Sequence, residues 1–289
     1  MWRGLTALLG GRFRTPTTVT QASCASGARA AWVDTAAVDP EEHVLHGGNV
    51  AAAVVRVGST VRKPATPATT AVEALLEHLN SVGFPGAPRS LGRDRLGRHV
   101  LEYVPGAMSD TLPPMSTRDL RRLGRLVRDM HDAAASFGLP EQARWDVVIP
   151  PDRAELICHH DLAPWNLVQD GDRWVFIDWD GAGPGSRLWD LAYAAHGFVP
   201  LHAGGDPNAD GRRLRALADG YDLDDQQRRD LPPLIVAHVR GMFDLLQRGA
   251  RTGEQPWSRL HAEGHAEHWG LSADYINSHL RRWTEALLG

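Results

Sequence analysis

The chain has 289 residues, 43% of them hydrophobic and 23% charged, with a formal net charge of −4. That balance supports a globular core and excludes the strongly basic face of a nucleic-acid binder, while no stretch approaches the roughly 20 uninterrupted apolar residues that span a bilayer. Two cysteines, Cys24 and Cys158, exclude a disulfide framework; Cys158 lies in an apolar run and reads as a small hydrophobe, and a reducing cytoplasm is the expected compartment.

Residues 1–40 read as a disordered extension. The first 30 residues carry Arg3, Arg12, Arg14 and Arg29 and no acid, a composition shared with transit peptides. From His46, HGGNVAAAVVRVGSTVRK reads as two strands joined at Gly58-Ser59 behind a Gly-Gly turn. Pro64 and Pro67 end that pattern. Val72, Leu75, Leu76, Leu79 and Val82 then recur at helical spacing. Thr70 with Glu73 makes a candidate capping box and Gly83 a candidate stop. A second strand pair, RSLGRDRLGRHVLEYV, precedes the connector PGAMSDTLPPM. A helix follows from near Ser116 to about Ser136, with Leu120, Leu123, Val127 and Met130 on one face. Short strands and turns fill 156–178. Helices are expected over 190–197, 211–221, 226–247 and 274–288. The plan is an α+β chain: a nucleotide-binding lobe over 41–104 and a larger, mostly helical catalytic and acceptor-binding lobe over 105–289. Clefts between such lobes favour small-molecule sites.

The chemistry concentrates in CHHDLAPWNLV, residues 158–168, and WVFIDWD, residues 174–180. Asp170-Gly171-Asp172 is a turn signal between two strand-like runs. Folded as a hairpin, the segment brings Asn166, before the first strand, beside Asp178, after the second. Asp161 precedes them on a Pro-containing loop. An amide oxygen and a carboxylate at one mouth are hard ligands of the kind magnesium takes together with substrate phosphates. Asp161 is then placed to orient an attacking hydroxyl and accept its proton. Phosphoryl transfer asks for little more.

The stretch CHHDLAPWNLV…FIDWDGAGPGSRLWDLA resembles the aminoglycoside phosphotransferase and small-molecule kinase family, similar in fold to protein kinases, and the likeness runs from about residue 46 to the end. The resemblance implies a protein-kinase-like two-lobe fold with ATP and Mg2+. It implies Asp161 as catalytic base and His159 as the histidine bracing the catalytic loop. Asn166 and Asp178 match the magnesium positions, and Asp190 an acid supporting the loop from the next helix. LEYVPG matches the hinge, where backbone groups of Glu102 and Val104 would meet the adenine. TVRK matches the strand of the phosphate-binding cation, Arg62 or Lys63, since strand alternation puts one of the two into the cleft. His160 stands where many members have glycine, and HGGNVAAAV is a loose version of the glycine-rich loop.

Several residues carry two readings. Glu73 either pairs with the Arg62 or Lys63 cation or completes the cap on Thr70. Asp180 serves acceptor binding, metal support or plain solvation. His261, His265 and His268 are spaced like metal ligands, but Gly264 interrupts them and a substrate-rim segment is the better reading. Trp165, Trp179, Trp189 and Trp257 are assigned to core packing. A metal-dependent hydrolase built on His159, His160 and Asp161 lacks a remaining ligand set. The expected activity is ATP-dependent transfer to the hydroxyl of an aminoglycoside-like compound, sugar or amino alcohol. The alternative is a non-catalytic, nucleotide-binding kinase-like module. A polycationic acceptor would need acids such as Asp180, Glu254 and Glu263. No nucleic-acid or membrane partner is expected, and the sequence is silent on oligomeric state.

Overall fold

A computed structural model of the chain describes residues 41–45, 54–138 and 141–289. The expected glycine-rich segment at 46–53 and the extension at 1–40 lie outside these residues. The first lobe is an antiparallel sheet of β1 (Glu42–Val44), β2 (Val55–Val57), β3 (Thr60–Lys63), β4 (Ser90–Arg93) and β5 (His99–Glu102) in the order β1-β2-β3-β5-β4. Gly58, at φ +59°, makes the β2–β3 turn that the Gly58-Ser59 pair announces. Between β3 and β4 runs helix α1 (Thr69–Ser81), which buries Val72, Leu75, Leu76 and Leu79. Full burial of each such leucine is worth about 1.5–3 kcal/mol. Thr70 does not cap this helix. Ala68 occupies the N-cap without a side-chain bond, and Thr69 Oγ1 closes the turn by accepting from the Thr66 amide at 2.7 Å.

The second lobe begins with β6 (Ala107–Met108) and helix α2 (Thr117–Ala135). Ser116 and Asp119 form a capping box at the start of α2. Then come β7 (Leu156–Cys158), β8 (Leu167–Asp170), β9 (Arg173–Phe176) and β10 (Gly183–Gly185). These strands make a β6-β8-β9 sheet and a β7-β10 ribbon. The rest is helical: α3 (Arg187–Phe198), α4 (Pro207–Tyr221), α5 (Asp225–Thr252), α6 (Trp257–Ala262), α7 (His265–Ser278) and α8 (Leu280–Leu288). The single helix expected over 274–288 is two. Ser278 Oγ and His279 Nδ1 both turn onto the Tyr275 carbonyl, at 2.9 and 2.8 Å, and so compete with the helical ladder there.

One core joins the lobes, running from Leu75, Leu76 and Leu79 through α2 to Trp283 in α8. Helices α2 and α4 cross backbone to backbone at Gly124 and Gly220. A Cβ on Gly220 would stand 2.1 Å from the Arg121 carbonyl oxygen, and one on Gly124 would stand 2.2 Å from that of Leu217. The crossing carries Tyr221 of α4 onto His131 of α2. Among the described residues no helix is long and apolar enough to cross a membrane.

Candidate active site

Three segments meet where β3 ends. The β8–β9 hairpin closes on a two-residue turn, Gly171-Asp172, since Asp170 pairs with Arg173. At its open end the Ile177 amide donates to the Asn166 carbonyl at 2.8 Å, so Asn166 and Asp178 leave the hairpin at the same end. Asp178 takes a left-handed backbone, φ +61°, and starts the short 3-10 turn Trp179–Gly181. Backbone strain of this kind recurs at functional sites.

Lys63 reaches across from the first lobe. Its Nζ lies 2.7 Å from Asp180 Oδ1 and 3.3 Å from Asp178 Oδ1. It is the only lysine among 31 basic residues, and its side chain is 9% exposed. Burial works against its charge, but the two carboxylates outweigh that and hold its pKa above the usual lysine value. Two acids share one ammonium; burial, reinforced by Asp178, pushes Asp180 up in spite of Lys63. The Asp178 side chain remains 51% exposed.

Asp161 lies half-buried on the loop after β7. Asn166 Nδ2 donates to its Oδ2 at 2.7 Å and to its backbone carbonyl at 3.0 Å, which ties the two candidate residues into one unit. The amide nitrogen faces Asp161, so the amide oxygen of Asn166 is the atom left for a cation. Burial, then the charge of Asp178, push Asp161 up to about 7 against hydrogen bonds from Tyr193 and Asn166. Tyr193, buried on α3 and stacked on His238 at 4.7 Å, is a contact that sequence reasoning did not find.

Asp190, fully buried on α3, holds the loop from below. Its Oδ2 accepts from the His159 amide at 3.0 Å and its Oδ1 from the His160 amide at 2.8 Å. The His159 ring accepts the Asp161 amide on Nδ1 at 3.2 Å and donates from Nε2 to the Ile177 carbonyl at 3.1 Å. Both ring nitrogens are thereby used in bracing. Burial lowers the His159 pKa to about 4, so the ring is neutral near pH 7. His160 has φ +64°, a backbone that suits glycine, and its Nε2 meets the carbonyls of Gly183 and Pro184 at 3.2 and 3.1 Å.

Other expectations are corrected. Arg62 points away from the acids and pairs with Asp94 at 3.5 Å, so alternation along β3 puts Lys63 into the site and Arg62 out of it. Glu73 meets neither cation nor cap. Arg93 grips it in two bonds, 2.9 and 3.0 Å, and also donates to Thr70 Oγ1; β4, nearest α1 at the sheet edge, supplies a partner that local spacing does not show. In the hinge stretch, the Glu102 carboxylate binds Arg173 at 2.9 Å and Arg89 at 3.5 Å, the Glu102 amide donates to the Arg89 carbonyl, and Val104 is buried. The His159, His160 and Asp161 side chains do not converge as hydrolase ligands, because the histidine rings are turned onto backbone. Of the acids that a polycation would need, Asp180 is held by Lys63 and Glu263 by Arg259. Among the described residues, the three potential metal ligands that cluster are His131, Cys158 and Asp190. Hydrogen bonds already engage each of them.

A sequence profile described as "Phosphotransferase enzyme family" matches residues 134–231. A curated relative, the trifolitoxin immunity protein of Rhizobium leguminosarum bv. trifolii, is 32% identical over 229 residues, covering 74% of this chain and 87% of the relative. The chain belongs to the phosphotransferase enzyme family. Two solved structures share the fold of this phosphotransferase. The amicoumacin kinase hAmiN, in complex with AMP-PNP, Ca2+ and Ami, superposes with a TM-score of 0.60 at 12% identity, over 82% of this chain and 88% of that one. A choline/ethanolamine kinase family protein from Mesorhizobium loti gives 0.57 at 18% identity, over 88% and 95%. The two-lobe, protein-kinase-like architecture is therefore the fold of this chain, and its class is that of small-molecule phosphotransferases acting on hydroxyl groups.

Proposed function

We propose that this phosphotransferase moves the γ-phosphoryl group of ATP to a hydroxyl of a small molecule, with Asp161 as the base. The observation that carries the reading is the meeting of Lys63 with Asp178 and Asp180 beside the Asp161–Asn166 unit. Lys63 supplies the fixed positive charge for the nucleotide phosphates. Asp161 orients the acceptor hydroxyl and takes up its proton as the oxygen attacks; its pKa near 7 suits that exchange near neutrality. His159, neutral and fully engaged, braces the Asp161 amide. The Glu102 carbonyl and Val104 amide are assigned to the adenine.

The donor set fits a divalent cation. Asn166 offers an amide oxygen and Asp178 a half-exposed carboxylate, both hard ligands, and Lys63 balances only one of the two acids it touches. Asn166 and Asp178 would hold magnesium, which neutralises charge on the transferring phosphates. The amicoumacin kinase structure, with AMP-PNP and Ca2+ bound, makes nucleotide and divalent cation the first ligands to test.

The acceptor is a neutral or weakly charged alcohol rather than a polycation, since Asp180 and Glu263 are already paired. Because one relative is named an immunity protein, hydroxylated toxins and antibiotics come first in an acceptor screen, followed by sugars and amino alcohols. The test is magnesium-dependent ADP release with each acceptor, in wild type and Asp161→Asn. Turnover that depends on acceptor and on Asp161 supports the proposal. Nucleotide binding without turnover on any acceptor favours a non-catalytic module instead.

A further inference from the structure

We propose that His131, on helix α2, is a positioning residue for phosphoryl transfer that acts through Asp190 on the catalytic loop. The proposal rests on the phosphotransferase reading above. His131 is fully buried. Its Nε2 lies 3.0 Å from Asp190 Oδ2 and its Nδ1 lies 2.7 Å from the Tyr221 hydroxyl. An ionised Asp190 can only accept, so Nε2 carries the proton and donates. In the neutral ring Nδ1 is then the acceptor and Tyr221 donates to it. Arg187 in turn donates to the Tyr221 oxygen. The donors therefore run in one direction: Arg187 to Tyr221, Tyr221 to His131, His131 to Asp190.

At the far end Asp190 receives the amides of His159 and His160, and the His159 ring receives that of Asp161. Three consecutive amides, ending at the base itself, are thus fixed by side chains. The two loop amides reach Asp190 from one side. His131 is the side-chain donor that meets it from α2 and sets how the carboxylate is turned. Catalytic groups must be held within about 0.5 Å of productive geometry, and His160 sits in a left-handed conformation that the loop would relax if Asp190 turned.

Two readouts test this, one independent of activity. In His131→Leu, kcat falls roughly 10- to 100-fold, the range seen when an outer partner of a site residue is lost, while the KM for ATP stays within about twofold. His131→Gln, which can donate to Asp190 and accept from Tyr221, recovers most of the loss. Leu287→Ala, a buried change on α8, supplies a control destabilised without touching the network, and it keeps kcat. Amide hydrogen exchange across 159–161 accelerates in His131→Leu and returns towards wild type in His131→Gln. Should His131→Leu fail to fold, Tyr221→Phe, which removes only the hydroxyl, takes its place in both measurements. A kcat loss no larger than the control's, or unchanged exchange at 159–161, overturns the proposal. If the wild type turns over no acceptor, the phosphotransferase reading falls, and exchange alone still decides whether His131 fixes the loop.

Discussion

Gly220→Ala probes the contact on which the second lobe is built. A Cβ there would lie 2.1 Å from the Arg121 carbonyl oxygen and 2.7 Å from the Arg121 Cα and carbonyl carbon, all backbone atoms of α2. An ordinary carbon–carbon contact needs about 3.5–4.0 Å, so α4 must back off by roughly 1 Å or more, because no flexible side chain can yield. Alanine gains up to about 1 kcal/mol of helix propensity over glycine. Overpacking costs typically 1–3 kcal/mol and occasionally more, and a clash between two backbones belongs at the upper end. The net expectation is a loss of about 2 kcal/mol, or roughly 4–8 °C in Tm. Gly270→Ala is the matched control: it also lies in a helix, but its Cβ would meet only the Phe243 ring, at 3.3 Å, which can move. It should be neutral or slightly stabilising. Urea unfolding and thermal melts of the two variants decide the matter. A Gly220→Ala protein as stable as wild type would falsify the backbone-contact argument.

Asp161→Asn should lower turnover by about 10²–10⁴-fold, the range for a general base, with ATP affinity largely kept; coupled ADP release and equilibrium titration measure the two. Because Lys63 is the only lysine, an amine-reactive ATP analogue should modify one side chain, and peptide mass spectrometry should find that label suppressed by excess ATP with magnesium; equal labelling with and without ATP removes Lys63 from the nucleotide site. His238 is buried against Tyr193 and Trp189, and burial lowers its pKa to about 3. Its unfolded value is about 6.5, so the unfolded chain binds the extra proton, and stability falls as pH drops below about 6.5 towards 3. Comparing urea unfolding at pH 7 and 5.5, wild type should lose about 1.4 kcal/mol more than His238→Phe; equal losses mean that the ring is protonated in the fold.

Much of the chemistry was legible in the sequence because it is local. Asp170-Gly171-Asp172 specifies a tight hairpin, and a hairpin brings its two ends together whatever surrounds it, so Asn166 and Asp178 were paired correctly on pattern alone. Ser116 with Asp119 marked the start of α2 for the same reason. What failed depended on partners distant in the chain. Glu73 was read against Thr70 three residues away, yet Arg93 on a neighbouring strand holds it, and nothing in helical spacing encodes that. A signal for Lys63 over Arg62 was present, since it is the only lysine in an arginine-rich chain. Tyr193 and His131 gave none: each sits in an ordinary apolar helix stripe and becomes a site residue only through its neighbours.

The sequence by itself determined the turns, the helix starts and the identity of the reacting groups, because backbone preferences and side-chain chemistry act over a few residues. Tertiary structure alone decided which cation meets which acid, how Asp190 gathers two amides and an imidazole, and why the Asp161 pKa rises towards neutrality. Charge and burial act through space, and the residues involved, from Lys63 to Asp190, are brought within a few ångströms only when the sheet lobe docks and two glycines let α2 and α4 touch.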